Sequence, residues 1–381
     1  MPEERNRLST ALDAPGLYDR YRATRHFGSL DGLRFICISA VIWHHIPYWQ
    51  ELTHISVLFA RGHVGVDFFF VLSGYLITTL LLREESTKGS FDLRGFYWRR
   101  ALRILPVYYF VVSIAAFYDI VINGRAEALE ALAFYYVFLV NFLTIPDIMF
   151  LSPTWSLSVE EQYYLLWPAL LLLLPRGWII PALIALIAIN VIAATGLFAL
   201  VGIHAINAYP LRFAIEGATY APILMGSLAA VLLHYRAGFL PFARVLGSRG
   251  APWICFALLL VALGAVPGSL EGWPNLLVHS LMTLMLISLV VREDNGMAPV
   301  LHLRPIVRIG QISYGVYLYH HFALAAMYLA LQTLGIESWG LLYFTYYALA
   351  ILIAEISFRT LEAWFMRFRH KSFRRVPSET R

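Results

Sequence analysis

The sequence predicts an all-α polytopic membrane protein of about ten transmembrane helices, with one re-entrant or irregular segment near 131–157. Three observations carry this expectation. The 381-residue chain is 59% hydrophobic and only 14% charged, whereas a soluble domain carries about 25% charged residues. Apolar runs long enough to cross a hydrocarbon core about 30 Å thick recur from residue 33 to residue 359. The basic residues fall on alternate loops, as the positive-inside rule requires.

Residues 1–29 are polar and charged and read as a cytosolic lead without a cleavable leader, holding an amphipathic helix near Leu17–Arg25. Apolar segments then follow at 33–50, 64–82, 104–122, 131–148, 158–174, 178–201, 217–235, 252–267, 274–291, 311–332 and 339–359. The segment at 131–148 is the exception. It holds Asn141 and is followed by Pro146, Asp147, Pro153 and Thr154. Irregular backbone at membrane depth is tolerated only where protein or a water-filled cavity surrounds it. If this segment returns to its own side, 26 of the 29 Lys and Arg residues lie on one face, leaving Arg61, Arg125 and Arg212 on the other. A full crossing would move every later loop and destroy that bias. The reading is therefore ten crossings, both termini cytosolic, and a cavity near 131–157 that opens outward. After residue 361 the chain becomes a basic tail, 362–381, with Trp364, Phe365 and Phe368 among the cations, as in a surface-lying amphipathic stretch.

The composition excludes other classes. A pI near 9.1 fits basic cytosolic loops here, and no nucleic-acid partner is expected. Cys37 and Cys255 sit alone inside apolar runs, so neither a disulfide framework nor a metal cluster is expected.

Ionisable residues within apolar spans carry the functional expectation, because their burial is costly and they usually mark a site. The segment Asp31–Pro47 places Arg34 at the start of a helix and His44 and His45 near its far end, with ten residues between Arg34 and His45. At about 1.5 Å per residue, cation and imidazole stand roughly 16 Å apart. Adjacent helical residues point about 100° apart, so only one of the two histidines is expected to face a cavity. In residues 62–78, Gly65, Ser73 and Gly74 permit close helix approach, and Asp67 starts a helix or holds a buried histidine or arginine. In FYWRRALRILP, Arg99 and Arg103 share a helical face and form with Arg100 a cluster suited to phosphate. In PTWSLSVEEQYYLLWP, Ser156 or Ser158 caps a helix whose first turn carries Glu160 and Glu161, of which at most one is expected to face a site. In ISYGVYLYHH, Ser313 and His320 share one face, with Tyr317 and His321 nearby.

Taken together and in this order, these five motifs resemble the acyltransferase 3 family of integral-membrane acyltransferases, over a region from about Leu30 to Leu361. The resemblance implies O-acylation of a carbohydrate or glycoconjugate hydroxyl, with cytosolic acyl-CoA, most often acetyl-CoA, as donor. It pairs Arg34 with His45 and makes Arg99, Arg100 and Arg103 donor-side arginines. It selects Glu160 over Glu161 and His320 over His321. Asp67, Ser313, Tyr317 and His320 are assigned to substrate binding, and His45 and Glu160 to catalysis as base, acyl carrier or orienting carboxylate. Some relatives carry a further hydrolase-like domain; this chain is expected to work without one, in a bacterial inner membrane and with no metal. An exporter of acylated glycans or small carboxylates, using the same arginines for the anion and His45 for protons, is the alternative.

The topology is testable. Single cysteines introduced at Arg125 and Asp147 are both expected to react with an impermeant reagent added outside intact cells. Reaction at Asp147 only after permeabilisation would show that 131–148 crosses.

Overall fold

The computed structural model describes residues 14–46, 57–145, 147–195, 197–198, 205–214, 220–266 and 273–370. Almost all regular structure in them is helical. In chain order the helices are α1 (Ala14–Ala23), α2 (Gly28–His44), α3 (Val64–Lys88), α4 (Leu93–Ala116), α5 (Leu129–Tyr136), α6 (Trp155–Leu173), α7 (Ile179–Ala194), α8 (Ala221–His234), α9 (Arg236–Leu246) and α10 (Ala251–Ala265). They continue as α11 (Trp273–Val291), α12 (Ala298–Leu301), α13 (Arg304–Gln311), α14 (Ser313–Thr333), α15 (Trp339–Ser357) and α16 (Ala363–Met366).

Five of these helical stretches are long and apolar enough to cross a membrane, or six if α8 and α9 form one broken span. The ten crossings read from the sequence are thus only partly matched. The reason is local. The 14-residue α8 turns by 105° into α9, and at about 1.5 Å per residue α8 is only about 21 Å long. Helix α10 has 15 residues, and α2 has 17 with Asp31 and Arg34 in its first turns. The outward faces of α6 and α7 carry exposed Leu165, Leu166, Ile184 and Ile189, the apolar surface that lipid demands.

Segment 131–148 does not form a spanning helix. Helix α5 stops after eight residues, and single helical turns at Val140–Phe142 and Ser152–Thr154 carry the chain onward. Protein groups satisfy this irregular backbone: Gln162 Nε2 donates to the Phe138 carbonyl over 2.7 Å, and the Met149 amide donates to Asp119 Oδ2 over 2.9 Å. Asp119 is fully buried and paired with Arg125 at 3.0 Å. One antiparallel hairpin, β1 (Ala205–Ala208) and β2 (Leu211–Ala214), bridges to this segment at Leu143. The all-α expectation missed it.

Helix α1 is not a loose lead. Its Leu17 and Tyr21 are buried in the core, and the Tyr18 hydroxyl donates to the His234 carbonyl at the end of α8. Within 362–381, helix α16 and the turn Arg367–His370 continue from α15, while 371–381 lie outside the described residues.

Helix α2 sits between two cores. Leu33 and Cys37 pack toward α3, α8 and α11, whereas Ile38, Val41 and Ile42 pack toward α4, α14 and α15. From α15, the Tyr346 hydroxyl donates to the Ile42 carbonyl, and Tyr347 shares a 2.8 Å hydrogen bond with Ser39. These contacts fix the end of α2 from which His45 projects.

Helices α3 and α8 touch backbone to backbone. A Cβ on Gly74 would lie 1.9 Å from the Ile223 carbonyl oxygen, and one on Gly226 would lie 2.0 Å from that of Val71. Neither backbone can yield without separating the helices. Gly74→Ala and Gly226→Ala are therefore each expected to destabilise the fold by about 1–3 kcal/mol. Thermal unfolding in detergent checks this, and an unchanged midpoint for both would refute the close crossing.

Candidate active site

A cavity of about 620 Å³ opens among α2, α3, α4, α6 and the start of α14. Its wall holds six arginines, Arg25, Arg34, Arg83, Arg100, Arg103 and Arg369, against four carboxylates, Asp31, Glu160, Glu161 and Glu362. The size is that of a small-molecule site, typically about 300–1,000 Å³. The surplus of guanidinium groups favours an anion, and their fork geometry suits phosphate.

Each charged side chain is held by something definite. Asp31 is 2% exposed. It accepts from Arg34 Nη1 at 2.7 Å and Gln311 Nε2 at 3.3 Å, and lies 3.1 Å from His26 Nε2. Arg34 follows Asp31 by three residues, so one helix turn brings them together. Arg100 lies over the Tyr164 ring, 4.8 Å from its centroid, a cation–π contact. Arg103 faces the same cavity and is exposed there. Glu160 Oε1 accepts from Ser73 Oγ at 2.6 Å. Arg83 spans the α1–α2 connection, donating to the Tyr21 carbonyl at 2.9 Å and the Thr24 carbonyl at 2.5 Å.

Arg99 stands apart. It does not line the cavity, and its Nη2 lies 3.6 Å from Glu84 Oε2 on α3. Arg99 and Arg103 are four residues apart on α4, yet Arg99 meets Glu84 while Arg103 lines the cavity. Glu160 is placed differently from the expectation as well. It joins the arginines rather than His45, and Glu161 lines the same cavity. Two successive glutamates reach one space because the cavity wraps around the edge of α6.

A second cluster lies at the far end of α2. His45 caps that helix, with its ring centroid 4.7 Å from that of His320 and 4.8 Å from that of His321. His320 is fully buried, and its Nδ1 lies 2.5 Å from the Tyr317 carbonyl. His45 Nδ1 lies 2.8 Å from the Val41 carbonyl. A carbonyl only accepts, so both Nδ1 atoms carry the ring proton and both Nε2 atoms keep a lone pair. His44 turns away toward His63, at 5.1 Å between ring centroids.

Tyr317 connects the two regions. It lines the cavity, its hydroxyl hydrogen-bonds Ser156 Oγ and the Pro153 carbonyl at 2.7 Å each, and its ring lies 5.6 Å from that of His320. Ser313 lines the cavity one helical stretch earlier. Asp67 joins neither region; it lies 3.4 Å from His279 on α11, the buried-histidine role open to it from the sequence. Of the segment 131–157, Ser156 and Leu157 line the cavity. Sequence reading left out Arg25, Arg83, Tyr164 and Glu362. Only Asp31, three residues before Arg34, offered a local signal.

Comparison with known proteins agrees with this architecture. The family model described as "Acyltransferase domain" matches residues 27–358. A peptidoglycan O-acetyltransferase, OatA, of Listeria monocytogenes is 29% identical over 325 residues, covering 78% of this chain and 49% of that protein. An O-acetyltransferase OatA of Staphylococcus aureus is 27% identical over 326 residues, covering 80% of this chain and 51% of the relative. The chain thus spans about half the length of the curated relatives it matches. No solved structure matches it.

Proposed function

Since the chain belongs to the acyltransferase 3 family of membrane proteins, we propose that it is an O-acyltransferase moving an acyl group, most often acetyl, from acyl-CoA to a hydroxyl of a carbohydrate or glycoconjugate. The observation that carries this reading is that Tyr317, on the wall of the arginine-lined cavity, packs with its ring 5.6 Å from that of His320, which in turn meets His45 at the end of α2. The relatives named as O-acetyltransferases support it, and peptidoglycan, in the name of one, is the acceptor type to test first. In this reading the protein lies in a bacterial inner membrane with ten crossings. The basic end of the bundle, with both termini, faces the cytosol.

The donor's phosphates bind at the cavity, with Arg34, Arg100 and Arg103 as the phosphate ligands. Asp31 orients Arg34 without neutralising the whole wall, because the arginines outnumber the carboxylates. The thioester arm extends along α2 past Tyr317. The acceptor hydroxyl gives its proton to His45 Nε2, and its oxygen attacks the thioester carbonyl carbon. The carbon–sulfur bond breaks, CoA leaves as a thiolate that takes the proton back from the His45 imidazolium, and the acyl ester stays on the acceptor oxygen. Glu160, fixed by Ser73, lies too near the arginines to serve His45 and acts as a positioning residue for the donor end.

Donor binding and chemistry separate by mutation. Arg100→Ala and Arg103→Ala are expected to weaken acetyl-CoA binding at least tenfold, since a charge-assisted hydrogen bond contributes about 1.5–3 kcal/mol. Arg99→Ala is expected to bind within about threefold of the parent protein, Arg99 itself being exposed and paired with Glu84 only at 3.6 Å. Isothermal titration on purified protein reads both, and equal losses for all three would contradict the placement of Arg99.

His45→Ala is expected to lower transfer to a saccharide acceptor by about 10²–10⁴ with donor affinity kept, while His44→Ala retains most activity. The two are compared at equal membrane abundance. Near-normal transfer by His45→Ala defeats the mechanism. Acetyl-CoA left unconsumed by the parent protein across a panel of acceptors, with glycan efflux present, would favour an exporter.

A further inference from the structure

The imidazoles of His45, His320 and His321 converge more tightly than one general base requires. One ring nitrogen from each lies within 4.8 Å of the others. The Nδ1 protons of His45 and His320 are committed to the Val41 and Tyr317 carbonyls, so their Nε2 lone pairs remain. The Nε2 atoms of His320 and His321 are buried and have no hydrogen-bond partner. The Nε2 lone pairs of His45 and His320 face each other and the His321 ring inside the bundle, and bare acceptors so placed repel unless something offsets them. A cation between them does.

We propose that His45, His320 and His321 form a binding site for a divalent transition-metal ion of the Zn²⁺ class, with its fourth position open. Imidazole nitrogen selects such ions over Mg²⁺ and Ca²⁺, which take oxygen ligands. An Nδ1–H held by a backbone carbonyl fixes the tautomer and aims Nε2, the outer-shell pattern of histidine ligands. A tetrahedral ion with bonds of about 2.0–2.1 Å needs nitrogens about 3.4 Å apart. Ring rotations that draw the three nitrogens together by about 1 Å supply that, and His45, only partly buried, has room for them. Three protein ligands leave a position for a hydroxyl. Spacing along the chain carried no metal motif, because the ligands come from two helices far apart in sequence.

Binding has a consequence that rests on the proposed reaction. The metal takes the His45 Nε2 lone pair that would accept the acceptor's proton, so Zn²⁺ occupancy and acyl transfer exclude each other. The binding itself does not depend on that reaction.

The test titrates metal-stripped, purified full-length protein with Co²⁺ and then Zn²⁺. One Co²⁺ per chain is expected, with the strong visible absorption of tetrahedral coordination, lost on adding Zn²⁺. His320→Ala and His321→Ala are each expected to lose the band and at least tenfold in affinity, whereas His44→Ala keeps both. His321→Gln, checked for normal abundance and thermal midpoint, serves if the alanine variants fail to fold. No stoichiometric uptake by folded parent protein, or undiminished uptake by a folded His321 variant, overturns the site. Transfer is read in the same samples. Loss with Zn²⁺ and recovery with a chelator support the exclusion, and undiminished transfer at saturation removes His45 from the ligand set. Stoichiometric uptake in a protein that transfers nothing in any metal state leaves the site standing and defeats the proposed reaction instead.

Discussion

An arginine inside a helical bundle needs a partner, and the Asp31–Arg34 pair on the first turns of α2 is the contact around which this molecule is arranged. Asp31 is almost wholly buried and takes three polar neighbours, from α2, α13 and the α1–α2 connection. Breaking such a pair leaves an uncompensated buried charge, which costs far more than the pair contributes by itself. The carboxylate therefore fixes where α2 begins, where α13 crosses it and where Arg34 points. Every other feature of the cavity is placed relative to that helix start.

The same helix sets the second cluster. Between Arg34 and His45 its buried side chains divide between two cores, so α2 can neither rotate nor slide without opening one of them. Tyr346 and Tyr347 from α15 pin its last turns. The backbone contact of α3 with α8 then holds Ser73, and through it Glu160, at a set depth. A rigid rod with a guanidinium at one end and an imidazole at the other is thus built from apolar packing. The polar groups contribute register rather than most of the stability.

Much of this was legible in the sequence for physical reasons that also explain where legibility stopped. Apolar run length and the placing of Arg34 and His45 toward opposite ends of one helix follow from helix geometry, which repeats without regard to context. The irregular character of 131–148 is read from Asn141 with the prolines that follow it, although Pro106 inside α4 and Pro168 inside α6 show that a proline alone does not end a helix. Contacts between helices do not repeat in that way. Arg99 and Arg100 point about 100° apart on α4, and which partner each meets, Glu84 on α3 or Tyr164 on α6, is set by the neighbouring helices. Glu161 reaches the cavity because of where that cavity runs, and no spacing rule foretells it. The number of crossings is where run length alone says least, since hydropathy does not reveal that α8 turns sharply after 14 residues.

The separation of the two clusters constrains what the site can serve. Arg34 and His45 lie roughly 16 Å apart along one helix, and packing on both sides keeps that distance constant. A ligand held by its charge at the arginines and reacting at the histidines must bridge the interval with a slender arm, because only Tyr317 and its neighbours lie between. A compact anion that filled the cavity would leave the histidines unused. A long apolar ligand without charge would leave the excess of six arginines over four carboxylates in the wall without a counter-charge. An anionic head on an extended arm ending in a reactive carbonyl satisfies both ends at once. That is the form of the acyl-CoA donor proposed above, and under that proposal the polar groups at each end of α2 belong to one reaction rather than to two.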